Sequence, residues 1–177
     1  MRTIMTALLS VGFLLSIAGC PQPGGGGNTN TNTPPPNDNA AEEPAAFSAD
    51  LSGEDEVPPV DTTVTGSAEV EFNAEGTEVT VTVTVAGAVG VTAAHIHLGA
   101  PGENGGVVLL LFADAEGLDV DGELVSATFS AEDLSGDLAG ATLDDLLDEI
   151  EAGNAYVNVH TLANPAGEVR GQLAPAE

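Results

Sequence analysis

Ser67-Ala68-Glu69-Val70-Glu71-Phe72, then Asn73-Ala74-Glu75-Gly76, then Glu78-Val79-Thr80-Val81-Thr82-Val83-Thr84-Val85 is the passage that decides the fold. Ala68, Val70 and Phe72 alternate with Ser67, Glu69 and Glu71, and four valines alternate with Glu78 and three threonines. Side chains on a strand point to opposite faces in turn, so a period of two in β-branched residues predicts strands with one buried and one wet face. The turn residues between them make the pair an antiparallel hairpin. Working outward, further strands are expected at 47–51, 92–98, 106–112, 124–130, 155–161 and 168–173, most of them separated by Gly and Asp clusters. About eight short strands predict an all-β domain, a Greek-key or immunoglobulin-like β-sandwich.

One segment departs from that period. Leu138, Leu143, Leu146, Leu147 and Ile150 follow the three-and-four spacing of a short amphipathic helix. Thr142 can cap its start with Asp145 three residues on, Asp144 and Asp145 suit the helix dipole, and Gly153 suits the exit. Such a helix is expected to pack on the core and close one end of the strands.

Upstream of the strands the grammar changes twice. Residues 20–45 run through Pro21-Gln22-Pro23, glycines 24–27, alternating Asn and Thr, and Pro34-Pro35-Pro36, with no hydrophobic period. Such a composition cannot bury enough apolar area to offset its ordering entropy, so the segment is expected to be a disordered tether. Residues 1–19 begin with Met1-Arg2-Thr3, continue almost wholly apolar from Ile4 to Ile17, and end in Ala18-Gly19 before Cys20. That is the layout of a secretory signal peptide, too short to favour a stable membrane span. The ending is similar to a bacterial lipobox, which implies cleavage before Cys20 and acylation of that cysteine (palmitate-type chains). The membrane is then a partner through the N-terminal lipid. With no twin arginine, export as an unfolded chain is expected. With no aspartate after Cys20, the outer membrane is the expected address in a two-membrane bacterium, and the outer face of the cytoplasmic membrane otherwise.

Composition narrows the partners. Among 177 residues, 28 are acidic and two are basic, for a formal charge of -26, and lysine is absent. Nucleic acid is excluded as a partner, because phosphate binding needs a basic footprint. A single cysteine, Cys20, allows no internal disulfide and no thiolate metal cluster. The 42% apolar content is close to that of ordinary globular domains, so one core is expected. Cleavage would remove Arg2, leaving 28 acids against Arg170 alone, formally -27. Acids spread over strands, turns and helix suit a salty medium, and stability is expected to rise with added salt.

Two passages carry the chemistry: Ala94-His95-Ile96-His97-Leu98-Gly99 with the loop to Val107, and Tyr156-Val157-Asn158-Val159-His160-Thr161 followed by Pro165-Ala166-Gly167-Glu168-Val169-Arg170-Gly171-Gln172. They hold all three histidines and the one basic residue of the mature chain. Both resemble the CHRD domain, the chordin-type module of many bacterial secreted proteins and lipoproteins. Phe47 to Gly53 with Glu56-Val57-Pro58-Pro59-Val60 resembles that domain's start, so the resemblance spans roughly 46–174. Departures are small: Val169 stands where isoleucine is usual, and Gly106 where many members have proline. The resemblance implies an extracellular β-sandwich module and no particular activity.

On a strand His95 and His97 point to one side, about 7 Å apart, and His160 could meet them from another strand. Two histidines at i and i+2 plus a distant third suit copper or zinc. The His-x-His strand is similar to the copper site of copper-zinc superoxide dismutases, but the other ligands and the paired cysteines of those enzymes are absent. A surface near -27 would also repel superoxide. The competing account is a structural polar cluster, in which the histidines and Asn158 bond loop backbone and Arg170 pairs with a carboxylate such as Glu168. Asp119-Val120-Asp121-Gly122-Glu123 lacks calcium-loop spacing and reads as a turn, leaving only scattered, nonspecific binding of divalent cations. Gly102 to Gly106 lacks the lysine and helix of a phosphate loop, and no Ser-His-Asp spacing stands out. The expectation is an exported, lipid-anchored, noncatalytic module that binds a protein or envelope ligand, with a histidine copper or zinc protein as the alternative.

Overall fold

A computed structural model describes residues 45–176. The expected signal peptide, Cys20 and all of the expected tether but Ala45 lie outside the described residues. The strands are β1 (Ala46–Ser52), β2 (Thr65–Phe72), β3 (Val79–Leu98), β4 (Gly106–Phe129), β5 (Ala155–Thr161), β6 (Val169–Gln172) and β7 (Ala174–Pro175). Between β4 and β5 come two 3-10 turns, Ala131–Asp133 and Gly136–Leu138, and one helix, α1 (Leu143–Glu151).

The hairpin read from the Val/Thr alternation is β2–β3, antiparallel, with Val70 opposite Val81 and Phe72 opposite Val79. Its inward residues Ala68, Val70, Val79, Val81 and Val83 are fully buried, each valine contributing about 1.5–3 kcal/mol. The rest of the topology departs from the expected pair of facing sheets. All strands join one seven-stranded sheet in the order β2-β1-β6-β5-β3-β4, with β7 on β1. Because β2 also pairs β3, the strands β1, β2, β3, β5 and β6 close into a five-membered barrel.

The reason lies in β3. Its first half pairs β2 and its second half pairs β5, while β4 follows it along the other edge. The sequence suggested a break at Gly87-Ala88-Val89-Gly90. Instead Gly87 and Gly90 take positive φ (70° and 67°), and the ladder to β4 shifts register there without ending. Glycine reaches that left-handed region at little cost, so the chain bulges and bends rather than turning back. Two expected strands thus become one of 20 residues, and 106–112 with 124–130 likewise become one of 24.

The helix forms as its pattern requires. The Thr142 hydroxyl accepts from the Asp145 amide, and Asp145 accepts from the Thr142 amide, a complete capping box. Leu143, Leu146 and Ile150 are buried in the core, and Gly153 (φ 75°) follows the helix exit. Leu138 also reaches the core, but from the preceding 3-10 turn and not from the helix.

Candidate metal centre

β5 is buried on both faces, unlike the wet-faced hairpin. Val157 and Val159 point into the barrel, while Tyr156, Asn158 and His160 lie on the outer face beneath loops. The register builds the cluster: Ala93 lies opposite His160, His95 opposite Asn158, and His97 opposite Tyr156. On the next strand Arg170 lies opposite Asn158, and Gln172 opposite Tyr156. Strand alternation therefore gathers the signature residues of three strands on one outer face.

Loops are tied down over that face. Asn104 Nδ2 donates to the Val57 carbonyl (2.7 Å), joining the loop after β1 to the loop after β3. Gln172 Nε2 donates to the carbonyls of Gly99 (3.0 Å) and Gly153 (2.8 Å). The Gly105 amide donates to the Tyr156 hydroxyl (3.2 Å), and the Gly105 carbonyl accepts from His97 Nδ1 (3.0 Å). A Cβ at Gly105 would collide with the Leu98 carbonyl, so only glycine permits this close return.

The three histidines meet. His95 Nδ1 lies 3.0 Å from His160 Nε2, and one ligand atom from each of the three falls within 4.8 Å of the others. Carbonyls only accept, so His97 carries its proton on Nδ1, facing Gly105, and His160 carries its own on Nδ1, facing the Pro165 carbonyl at 3.2 Å. His97 Nε2 and His160 Nε2 thus turn their lone pairs inward. Without metal His95 Nδ1 donates to His160 Nε2, and that proton moves to His95 Nε2 or to solvent when a metal takes its place. Burial, then the neighbouring His160 and His97, lowers the pKa of His95 to about 4. Burial lowers His97 too, against the Gly105 carbonyl and Asn158, and lowers His160 against the Pro165 carbonyl. All three rings are therefore neutral near pH 7, the form that ligates metals. Adjacent nitrogens on a tetrahedral zinc stand about 3.3 Å apart, so the 3.0 Å pair fits and His97 must close in by a modest shift.

Next to the trio, polar atoms are left without partners. His97 Nε2, Asn158 Oδ1 and Glu56 Oε1 are buried and make no hydrogen bond. Asn158 is near enough to bias the ionisation of both Glu56 and His97, without a well-formed bond to either. Glu56 is pushed up by burial, opposed by Arg170. It reaches this place over Gly167 (φ 132°), where a Cβ would strike its carboxylate.

Arg170 does not pair with Glu168 as expected. Its guanidinium, only 2% exposed, donates to the Ala100 carbonyl (3.2 Å) and makes long bonds to Asn104 and Gln172 (both 3.5 Å). It also lies 3.4 Å from the centre of the Tyr156 ring, a cation–π contact, and that ring stacks on His97 at 4.8 Å. Glu168 instead accepts from the hydroxyls of Thr62 (2.7 Å) and Thr161 (2.6 Å). Burial would raise its pKa, but these bonds outweigh burial and lower it. An aromatic face, one backbone carbonyl and two side-chain amide oxygens thus take the place of the expected carboxylate.

Elsewhere, residues 119–123 lie inside β4 and not in the expected turn, and Asp119 and Asp121 accept from the amides of Gly90 (2.9 Å) and Gly87 (3.1 Å), pinning the bend of β3. Glu56, Asn104, Gly105 and Tyr156 fall within the signature passages, yet no pattern in the sequence assigns them a role. Nothing periodic marks a loop carboxylate that folds back over a sheet.

Fold and site together define a small closed β-barrel with a loop-covered histidine and arginine cluster on its outer face. Residues 47–173 match the CHRD domain family, and the chain belongs to that family. No curated protein matches the chain.

Proposed function

We propose that this chain is an exported, lipid-anchored envelope protein whose CHRD domain is a noncatalytic binding module, and that His95, His97 and His160 bind copper or zinc. The metal reading is carried by one observation: His95 Nδ1 and His160 Nε2 sit 3.0 Å apart, while the outer nitrogens of His97 and His160 are held by carbonyls. Holding the far nitrogen fixes ring orientation and tautomer, which is how proteins prepare ligating histidines. Copper is favoured over zinc by the general affinity order for nitrogen sites. Arg170, Tyr156 and Gln172 hold the covering loops, and Glu168 braces Thr62 and Thr161. The structural account of the cluster therefore applies to these neighbours, and the metal account to the trio.

Copper titration of purified, chelator-treated protein should reach one equivalent, with affinity falling more than about 100-fold in His160→Ala, beyond what loss of an outer-sphere partner costs. Absence of stoichiometric copper and zinc in the folded wild type would sink the metal reading. The anchor rests on Ile17-Ala18-Gly19-Cys20. Cys20→Ser should release the protein from membranes, and persistent membrane association would refute lipidation. The envelope address follows from the same motif: outer membrane in a two-membrane bacterium, outer face of the cytoplasmic membrane otherwise.

A further inference from the structure

We propose that the three-histidine centre is an open one, whose remaining coordination position faces Asn158 and Glu56 and takes a small hydrogen-donating ligand, water in the resting state. The inference rests on the metal reading above and names what that site would hold beside the metal.

Its basis is the trio of unpartnered buried atoms. His97 Nε2, Asn158 Oδ1 and Glu56 Oε1 are acceptors without donors, on residues 8%, 3% and 6% exposed. Leaving one such atom buried and unsatisfied costs about 1–3 kcal/mol, and three near one another call for a common explanation. A metal on His97 Nε2 satisfies the nitrogen. The two oxygens then need hydrogens, and a metal-bound water has two to give. Glu56 is not among the grouped ligand atoms, which come from the histidines alone, and the amide oxygen of Asn158 is a weak copper ligand beside imidazole nitrogen. Three protein ligands with a solvent position is the pattern of exchangeable metal sites, whereas closed structural sites use four protein ligands.

The wall also sets the ligand class. The two acceptor oxygens present no hydrogen to an anion, and Arg170, whose charge reaches both His97 and Glu56, directs its N–H groups to Ala100, Asn104 and Gln172, so azide is a weaker occupant than water or a neutral amine. Glu56 is held from two sides: Gly167 leaves room for its carboxylate, and Val57, next in sequence, is tied to Asn104. Its position is thus part of the loop framework and not a chance excursion.

The test uses the wild-type protein loaded with one equivalent of Cu(II). Solvent proton relaxation should show an exchangeable inner-sphere water, and azide should compete with it weakly. Glu56→Gln places an N–H donor at the open position, and azide affinity should rise about tenfold, the worth of one hydrogen bond. Copper affinity in that variant should fall by no more than the roughly 10–100-fold that loss of an outer-sphere partner costs. Asn158→Leu, with one acceptor oxygen removed, should also bind azide more tightly and serves if Glu56→Gln folds poorly. Copper held by the three histidines with no exchangeable water overturns this inference and leaves the metal reading intact. Azide affinity unchanged in both variants overturns it as well. A wild type that takes up no copper overturns both.

Discussion

The two halves of β3 are one strand with two different outer faces. In the first half Thr80 and Thr82 face outward and meet Thr128 and Ser126 hydroxyl to hydroxyl, at 3.0 and 2.9 Å, with no loop across them. In the second half His95 and His97 face outward and are roofed by the segments after β1, β3 and β5. The inward faces are alike, with Val79, Val81, Val83 and Ile96 all fully buried. Alternation alone thus builds the barrel. What distinguishes the second half is a face that should be wet and is instead covered over polar groups, the arrangement expected where a ligand is to be held away from bulk water.

The comparison can be broken at several points. Inward positions should behave as plain core: Ile96→Ala should cost about 2–5 kcal/mol in denaturant unfolding, most of it cavity and lost burial. A much smaller loss would mean that the second half is not packed as tightly as the first. Next comes the covered face. Glu168→Ala removes a buried acceptor of two hydroxyl bonds and should cost about 1.5–3 kcal/mol. A neutral result would show that the loops hold without it.

Acid sharpens the contrast further. His95 titrates near 4 in the fold against 6.5 unfolded, so the unfolded chain binds more protons across that interval. The stability of the metal-free protein should be complete above about pH 6.5 and fall as pH drops towards 4, visible as a loss of several degrees in Tm. His97 and His160 shift in the same direction. His95→Gln should flatten this profile, and an unaltered slope would mean that burial of the ring does not govern its titration. The smallest effect belongs to the open face, where Thr82→Ala should change stability by no more than about 0.5 kcal/mol and leave the pH profile unchanged.

The same contrast explains what could be read from the chain. Val79 to Val85 announced a strand because one face is core and the other water, and Thr142 with Asp145 announced the helix start. The CHRD motifs located the histidines and Arg170, and strand alternation put His95 with His97. Continuity of β3 was hidden, because Gly87 and Gly90 serve a turn and a bulge equally well, and the deciding contacts come from Asp119 and Asp121, some thirty residues on. The partner of Arg170 was hidden for a related reason. Charge suggested Glu168, but Tyr156 and the Ala100 carbonyl were nearer in space, and sequence separation carries no trace of that.

Ring closure has a mechanical consequence. β1 meets β2 through seven residue pairs, and on its other edge meets β6 through one, Ser52 with Arg170, and β7 through two, Phe47 with Pro175 and Ser48 with Ala174. Tension entering at the start of β1 would therefore be shared by β2 and β7, with the single-pair seam of Ser52 and Arg170 at the far end of the strand. Arg170 stands at that seam while holding Ala100 and Asn104 of the roof. A pull on the amino-terminal end of β1 would thus load the β2 and β7 ladders before it reached Arg170 and the roof over the histidines.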